Sequence, residues 1–438
     1  MRRLLIFIRN SYWFIPSFYG FIALFLAIVS SVIDIYLFNN PETYHWFPSW
    51  MLSDIDLAHT LLGSISGSIL TMTTISFSSI LVVLTTYLSE FSPRTLQNFM
   101  NDSSTQRILG VFISGFLYST TLLLLTKKPI NEDDILFFSP TLALIVAIIS
   151  VGFFVFFVHH VSRWIQVRHL IEQIDRKTKE SVKNQLPKRS KGSNPPWQDW
   201  EASDLHTHSP HGLISEKSGY IQWVDTEKVL KQAEEDDVIV EMKPRVGQYI
   251  EKGKTMMVIW TSSESSGFSD YRKWVLIGEE RESVQDITFG IHKIVEIALR
   301  SLSPGINDPF TAIYCIEKLG HLLAMIGNRD LYHTYRHDEH EQLRFMVEPI
   351  SFSDLLYEAF YQIRHYGQSD PAVAAALYDA LYEIAVQNDS FIKEEVADLY
   401  YYLVDGIEAI DFLKMDETFL QKKQDKLASI LFSNQSNA

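Results

Sequence analysis

The stretch Ile135–Ser162, ILFFSPTLALIVAIISVGFFVFFVHHVS, holds no Lys, Arg, Asp or Glu. A bilayer core takes about 20 mostly apolar residues of helix, so a run of this kind reads as a membrane span rather than a buried core helix. Working outward, three more runs have the same character, and spans are expected at about Tyr12–Leu37, Leu57–Leu88, Ile108–Leu125 and Ile135–Val161. Tyr12, Trp13, Trp46, Trp50, Tyr87 and Trp164 fall near their ends, where aromatic side chains favour the interface. A three-span alternative leaves part of residues 57–88 in the interface. Arg9 interrupts the first run and its apolar part continues to Phe38, too long for a signal core, so this segment is expected to be retained.

Charge divides the chain. Residues 1–170 carry nine Lys and Arg and nine Asp and Glu, leaving 29 and 44 for residues 171–438, so the whole net charge of −15 lies in the second part. An acidic soluble part of this kind repels phosphate and argues against a nucleic-acid partner. The single cysteine, Cys315, excludes an intrachain disulfide framework. Arg2, Arg3 and Arg9 precede the first span and Arg163 and Arg168 follow the fourth, whereas Asn39–Ser53 has no basic residue. Positive charge stays inside, so a multi-pass inner-membrane protein with both termini cytoplasmic is expected.

The second span departs from the others in its hydroxyls. Ser64, Ser68, Thr71, Thr74, Ser78 and Thr85 fall near one helical face, beside Gly63 and Gly67 in Gly-x-x-x-Gly spacing. Small residues allow close helix packing, and a polar face costs least where it meets water, so these six are candidate pore-lining residues. Asp34, Asp54 and Asp56 gather at the outer ends and form a candidate cation-attracting mouth; ordinary solvation at the interface explains them equally.

The sequence divides into a four-helix membrane domain (residues 1–165), a basic juxtamembrane helix and linker (166–205), a small β-barrel (206–275), a cytoplasmic helical domain (276–432) and a disordered tail (433–438). Arg163–Lys191 holds nine basic against three acidic residues, a segment suited to anionic lipid headgroups. Gly219–Val224 and Val238–Met242 read as strands, and Gly247 and Gly253 stand six residues apart before Met257–Ile259. That pattern resembles half of the small barrel of lipoyl and biotinyl carriers, but lacks the tip lysine those carriers modify. From Glu282 onward the spacing is helical, with Asp308-Pro309 and Asp370-Pro371 as helix starts. The fold class expected is thus membrane α-helical plus a cytoplasmic α+β region with a small barrel and a helical bundle.

Three further groups bear on a site. Arg300, Ser303, Asn307, Asp308 and Thr311 cluster at a helix stop and restart, a candidate ligand site or subunit interface. His333, His337 and His340 share one face if that stretch is helical and are candidate metal ligands, as are His206, His208 and His211. Solvated loop residues are the ordinary alternative for both. No phosphate-binding glycine loop, nucleophile elbow or His-Glu-x-x-His occurs, so neither an enzyme nor a cofactor is expected.

Two stretches carry a family likeness: Glu90-Phe91-Ser92-Pro93-Arg94 leading through Asp102 to Leu109-Gly110-Val111-Phe112, and Gln285-Asp286 leading to Ala298-Leu299-Arg300-Ser301-Leu302-Ser303-Pro304-Gly305-Ile306-Asn307-Asp308-Pro309-Phe310-Thr311-Ala312. Together they resemble the uncharacterised bacterial membrane proteins grouped as domain of unknown function 2254, over nearly the whole chain. The resemblance implies a membrane location and a bacterial source, and supplies no activity or site residues. The function expected is a homo-oligomeric channel or pore-like protein with a cytoplasmic gating domain, contacting lipid, ions or a small ligand. The rival is a membrane-anchored sensor or scaffold without transport; a secondary transporter would be expected to show an inverted repeat.

Overall fold

The structure is a computed structural model. It describes residues 14–39, 47–90, 103–127, 136–164, 166–189, 208–262, 270–282, 284–331 and 335–432. The chain forms two compact units, Met1–His169 and Leu170–Ala438. The linker region around Ser193 and the tail beyond residue 432 lie outside the described residues, as do His206 and His333.

The first unit contains α1 (Phe14–Asn39), α2 (Ile55–Glu90), α3 (Ser103–Leu125) and α4 (Ser139–Trp164). Each of the four charge-poor runs falls on a single helix. Phe18, Phe21, Phe25, Val32 and Ile35 of α1 and Ile148, Val155 and Val158 of α4 stand exposed on the unit, as lipid-facing side chains do. Helix α3 is the central one: half of its apolar window is buried within the unit, against 17% for α4. Small residues set the crossings. A Cβ at Gly110 would meet the Tyr19 ring at 3.2 Å, and one at Gly115 would meet Ile69 at 3.0 Å. Buried hydroxyls tie the helices, with Tyr118 and Ser30 oxygens 2.9 Å apart and Ser66 and Thr120 oxygens 2.9 Å apart.

The second unit opens with α5 (Val167–Gln185), whose apolar face buries Leu170, Ile171, Ile174 and Val182. Strands β1 (Ser209–Ile214), β2 (Gly219–Val224), β3 (Val238–Met242), β4 (Tyr249–Ile250), β5 (Thr255–Thr261) and β6 (Val275–Gly278) follow, with α6 (Thr226–Glu235) between β2 and β3. After α7 (Ile287–Ser301) and α8 (Pro309–Gly327) comes a hairpin of β7 (Tyr335–His337) and β8 (Leu343–Val347). Helices α9 (Phe352–Gly367), α10 (Pro371–Gln387), α11 (Ser390–Glu408) and α12 (Lys414–Leu431) complete the unit.

The expected small barrel is not the arrangement found. The strands form an open five-stranded sheet, in the order β1-β5-β3-β8-β7, and a three-stranded sheet, β4-β2-β6. Both contribute to one apolar core that includes Ile221, Val240, Met257 and Phe345. The reason is β8, which pairs parallel to β3 with Val240 opposite Phe345. It occupies the edge of β3 that a closing strand would need, and it comes from a segment read as part of the helical domain. Gly247 and Gly253 take φ of +91° and +86°, which suits glycine, and turn the chain around β4.

Five described helices are long and apolar enough to cross a membrane: α1 to α4 and also α8. Helix α8 has the lowest mean hydropathy of the five, 1.2 against 1.8 to 2.8 for the others. It packs on α7, α9 and α10, and a Cβ at Gly320 would lie 3.0 Å from that of Ala380. The helix starts follow the sequence signals. Asp308 and Asp370 each accept a backbone N–H of the helix they precede, with proline next in line.

Candidate functional site

Helix α2 is 36 residues, roughly 54 Å, and therefore longer than the hydrocarbon core. It carries no Lys or Arg. Ser64, Ser68, Thr71, Thr74, Ser78 and Thr85 are all exposed on the first unit, within about a third of the helix circumference. Ile75 and Val82 share that arc and are exposed with them. An added Cβ at Gly63 or Gly67 would meet nothing within 4 Å. Four of these hydroxyls donate within the helix. Ser68 donates to Ser64 O at 2.8 Å, Thr71 to Gly67 O at 2.9 Å, Thr74 to Leu70 O at 2.9 Å and Thr85 to Val82 O at 2.8 Å. With their protons turned back onto carbonyls, these groups present oxygen lone pairs outward.

The three aspartates expected at a mouth differ in exposure and partners. Asp54 is exposed and accepts Leu57 N–H at 2.8 Å, capping α2, and Asp56 is exposed on the next turn. Asp34 is 6% exposed, and its Oδ1 accepts Phe138 N–H at 2.8 Å and Ser139 N–H at 3.1 Å at the start of α4. Around that junction Ser53 and Phe137 exchange backbone bonds of 3.0 and 2.8 Å, Thr141 Oγ1 donates to Met51 O at 2.8 Å, and His59 Nε2 donates to Thr126 O at 2.8 Å.

In the second unit the corner residues are brought together by the corner itself. Asp308 Oδ1 accepts Thr311 N–H at 3.2 Å and its Oδ2 accepts the Thr311 hydroxyl at 2.6 Å. Ser303 Oγ donates to Arg300 O at 2.6 Å. Asn307 takes φ of +50°, a left-handed position that asparagine tolerates, and its N–H reaches Ser303 O at 2.9 Å. Arg300 is exposed, and Phe310 is 81% exposed.

The histidine group does not form a helical face. His337 ends β7 and His340 lies in the turn, because Asp338 accepts the N–H groups of His340 and Gln342 at 2.9 Å each and so closes a hairpin. Arg344, 7% exposed, holds that hairpin by donating to Asp338 and Asp237 at 2.8 Å. Among the described residues no three His, Cys, Asp or Glu side chains gather as metal ligands.

A joint that the sequence reading missed surrounds Gln285-Asp286. The Gln285 side chain accepts Val224 N–H at 2.9 Å and donates to Val224 O at 3.2 Å, extending the end of β2 as a backbone would. Asp286 caps α7 through Phe289 N–H at 2.9 Å. Its Oδ2 takes Arg281 Nε at 2.8 Å and Nη2 at 2.7 Å. Burial still pushes this carboxyl above the usual range, with the Arg281 charge opposing. His292 bonds Glu358 of α9 at 2.9 Å. Lys293, 2% exposed, lies 4.2 Å from the Phe289 ring centre, and burial together with the charge of Lys177 lowers it to about 8. The pairing of an acid with an arginine five residues before it was visible in the sequence; its burial was not.

The family model described as "Predicted membrane protein (DUF2254)" matches residues 9–383. The chain belongs to that family. The match includes α1 to α4, the joint and the corner, and ends within α10. Uncharacterized proteins of Mycobacterium bovis and of two strains of Mycobacterium tuberculosis are each 29% identical to it over 344 residues. The alignment covers 75% of this chain and 64% of theirs, so the chain spans less than two thirds of the length of these relatives. No solved structure matches.

Proposed function

We propose that the protein is a homo-oligomeric channel of the bacterial inner membrane, with α2 lining the path and the second unit acting as a cytoplasmic gating domain. One observation carries the reading: the hydroxyl face of α2 runs the length of a membrane-spanning helix and no described helix covers it. Lipid offers such a face no polar contact, whereas water or the same face of further copies does. Acceptor oxygens with no Lys or Arg on the helix suit cations.

In this reading four helices span. Helix α8 stays in the second unit, because Glu317, Lys318 and His321 interrupt its middle and its apolar face is taken by α7 and α10. Both termini are cytoplasmic, as the Lys and Arg distribution favours, and catalysis has no part in the function. A ligand-sensing reading has one observation in its favour. A cleft of about 370 Å³ between α8, α10 and α12 is lined by Ile313, His321, Ala376, Asp379, Phe419 and Lys423. It suits a regulatory ligand as well as it suits a sensor without transport.

Cysteines placed at Ser64, Ser68 or Thr71 in a Cys315→Ser background should cross-link between copies. Thr74→Leu should reduce ion flux into liposomes without changing particle size. Cysteine variants that do not cross-link along α2, together with wild-type protein that passes no ions, would leave the anchor reading in its place.

A further inference from the structure

Among side chains described in the first unit, Asp34 is the only buried acid. Among the described residues its surroundings carry no charge that shifts it. Helix α3 contributes Tyr118, 4% exposed, as the titratable group within electrostatic reach, and α4 contributes Phe138 and Ser139. No described cation pairs with the carboxylate. Ser30 gives its hydroxyl proton to Leu26 O at 2.8 Å, so the 2.9 Å bond between Ser30 and Tyr118 runs from the phenol O–H to Ser30 Oγ. The phenol oxygen therefore keeps its lone pairs.

Both backbone N–H groups fall on Oδ1. Ser139 Oγ is fully buried, faces the same carboxyl, and has no partner of hydrogen-bonding geometry. A helix cap alone accounts for Oδ1. It leaves a second carboxylate oxygen and a buried hydroxyl unexplained in the same place. An acid buried in a membrane unit without a counter-ion is costly while charged and is relieved when it takes up a cation.

We infer that Asp34 is a proton-binding site of the membrane unit, in which Oδ2 takes the proton while Oδ1 stays fixed on the α4 N-terminus and Ser139, Tyr118 and Ser30 form the polar surround. The step is carboxylate plus proton to carboxylic acid, with no bond broken in the protein. The site is separate from the α2 face and does not depend on the channel reading.

The test uses the full chain in liposomes and an apolar carbodiimide, which reacts with a protonated buried acid. The acid proton goes to a carbodiimide nitrogen, and the carboxyl oxygen adds to the central carbon, leaving a mass addition at Asp34. Labelling should decline as pH rises, since each pH unit above the midpoint cuts the protonated fraction about tenfold. Asp34→Asn keeps an oxygen for Phe138 and Ser139 N–H and should lose the adduct at unchanged melting temperature. Infrared difference spectra between alkaline and acid pH should show a carboxylic acid band that this variant lacks. Absence of both the adduct and the band overturns the assignment. Suppression of labelling by sodium, but not by choline, at fixed pH also overturns it and makes sodium the ligand of the same oxygen.

Discussion

Replacing Arg281 by Met would strip a buried acid of its counter-charge while keeping most of the apolar stem. Asp286 has a side chain only 2% exposed, and both bonds from Arg281 fall on its Oδ2. The other oxygen is committed to the first turn of α7. The cavity cannot widen cheaply, since a Cβ at Gly247 would already sit 2.0 Å from Oδ2. Removing one partner of a buried ion pair costs about 3–5 kcal/mol, because the remaining charge is left unpaired. At about 2–4 °C per kcal/mol for a unit of this size, the melting temperature should fall by roughly 6–20 °C. The folded-state carboxyl is already raised, so its ionised form is the unfavourable one. A raised acid contributes stability that is present below the unfolded value and lost as pH climbs through the folded one, so the deficit of Arg281→Met should shrink on acidification. Adding Asp286→Asn keeps the cap, removes the orphaned charge and should recover most of the loss. Melting of the full chain in detergent, followed by intrinsic fluorescence, reads both variants against wild type. An Arg281→Met protein within about 2 °C of wild type would refute the claim that this pair is buried and coupled.

Gly290→Ala places a Cβ 2.1 Å from Thr178 Oγ1 and should cost about 1–3 kcal/mol, with Thr178→Ala as the rescuing second change in the same melting assay. Lys293 is lowered to about 8, so between about pH 8 and 10 the unfolded chain binds more protons and stability should rise with pH; Lys293→Met should flatten that rise. Asp308→Ala should lose about 0.5–2 kcal/mol as a missing cap. Arg300→Ala should leave the melting temperature within about 2 °C, and changed particle size or flux would assign the corner a contact beyond its own bonds.

The helices of the first unit were legible because a bilayer imposes length and the absence of charge, and both can be counted along a sequence. The corner was legible for a similar reason: Asp308-Pro309 is a local signal whose bonds close within a few residues. The sheet was not. Strand β8 lies about a hundred residues from its neighbour β3, and no local pattern in Val238–Met242 announces a parallel partner at Leu343–Val347. The histidine spacing fits a helix, but Asp338 and Arg344 specify a turn, so His337 and His340 lie in a hairpin as the loop alternative had it. Asp34 was read as one of an exposed cluster; its burial follows from the α4 N-terminus, 104 residues away, docking on it.

The α2 face and the Asp34 site make different demands on the same unit, and this separates them experimentally. Thr71 and Thr74 bond carbonyls of their own helix, so changing them should alter what meets that face and leave the bundle intact. Asp34 joins α1 to α4, and Tyr118 joins α3 to α1, so its polar surround belongs to the interior packing. The two sets share no residue and no hydrogen bond. Effects of distant, unlinked changes add within about 0.3–0.5 kcal/mol. Thr74→Leu should therefore reduce flux without touching carbodiimide labelling, Asp34→Asn should abolish labelling, and the double variant should show both effects at their single-variant sizes. Loss of labelling in Thr74→Leu would mean that the proton reaches Asp34 along the α2 face, and that the two sites are one path.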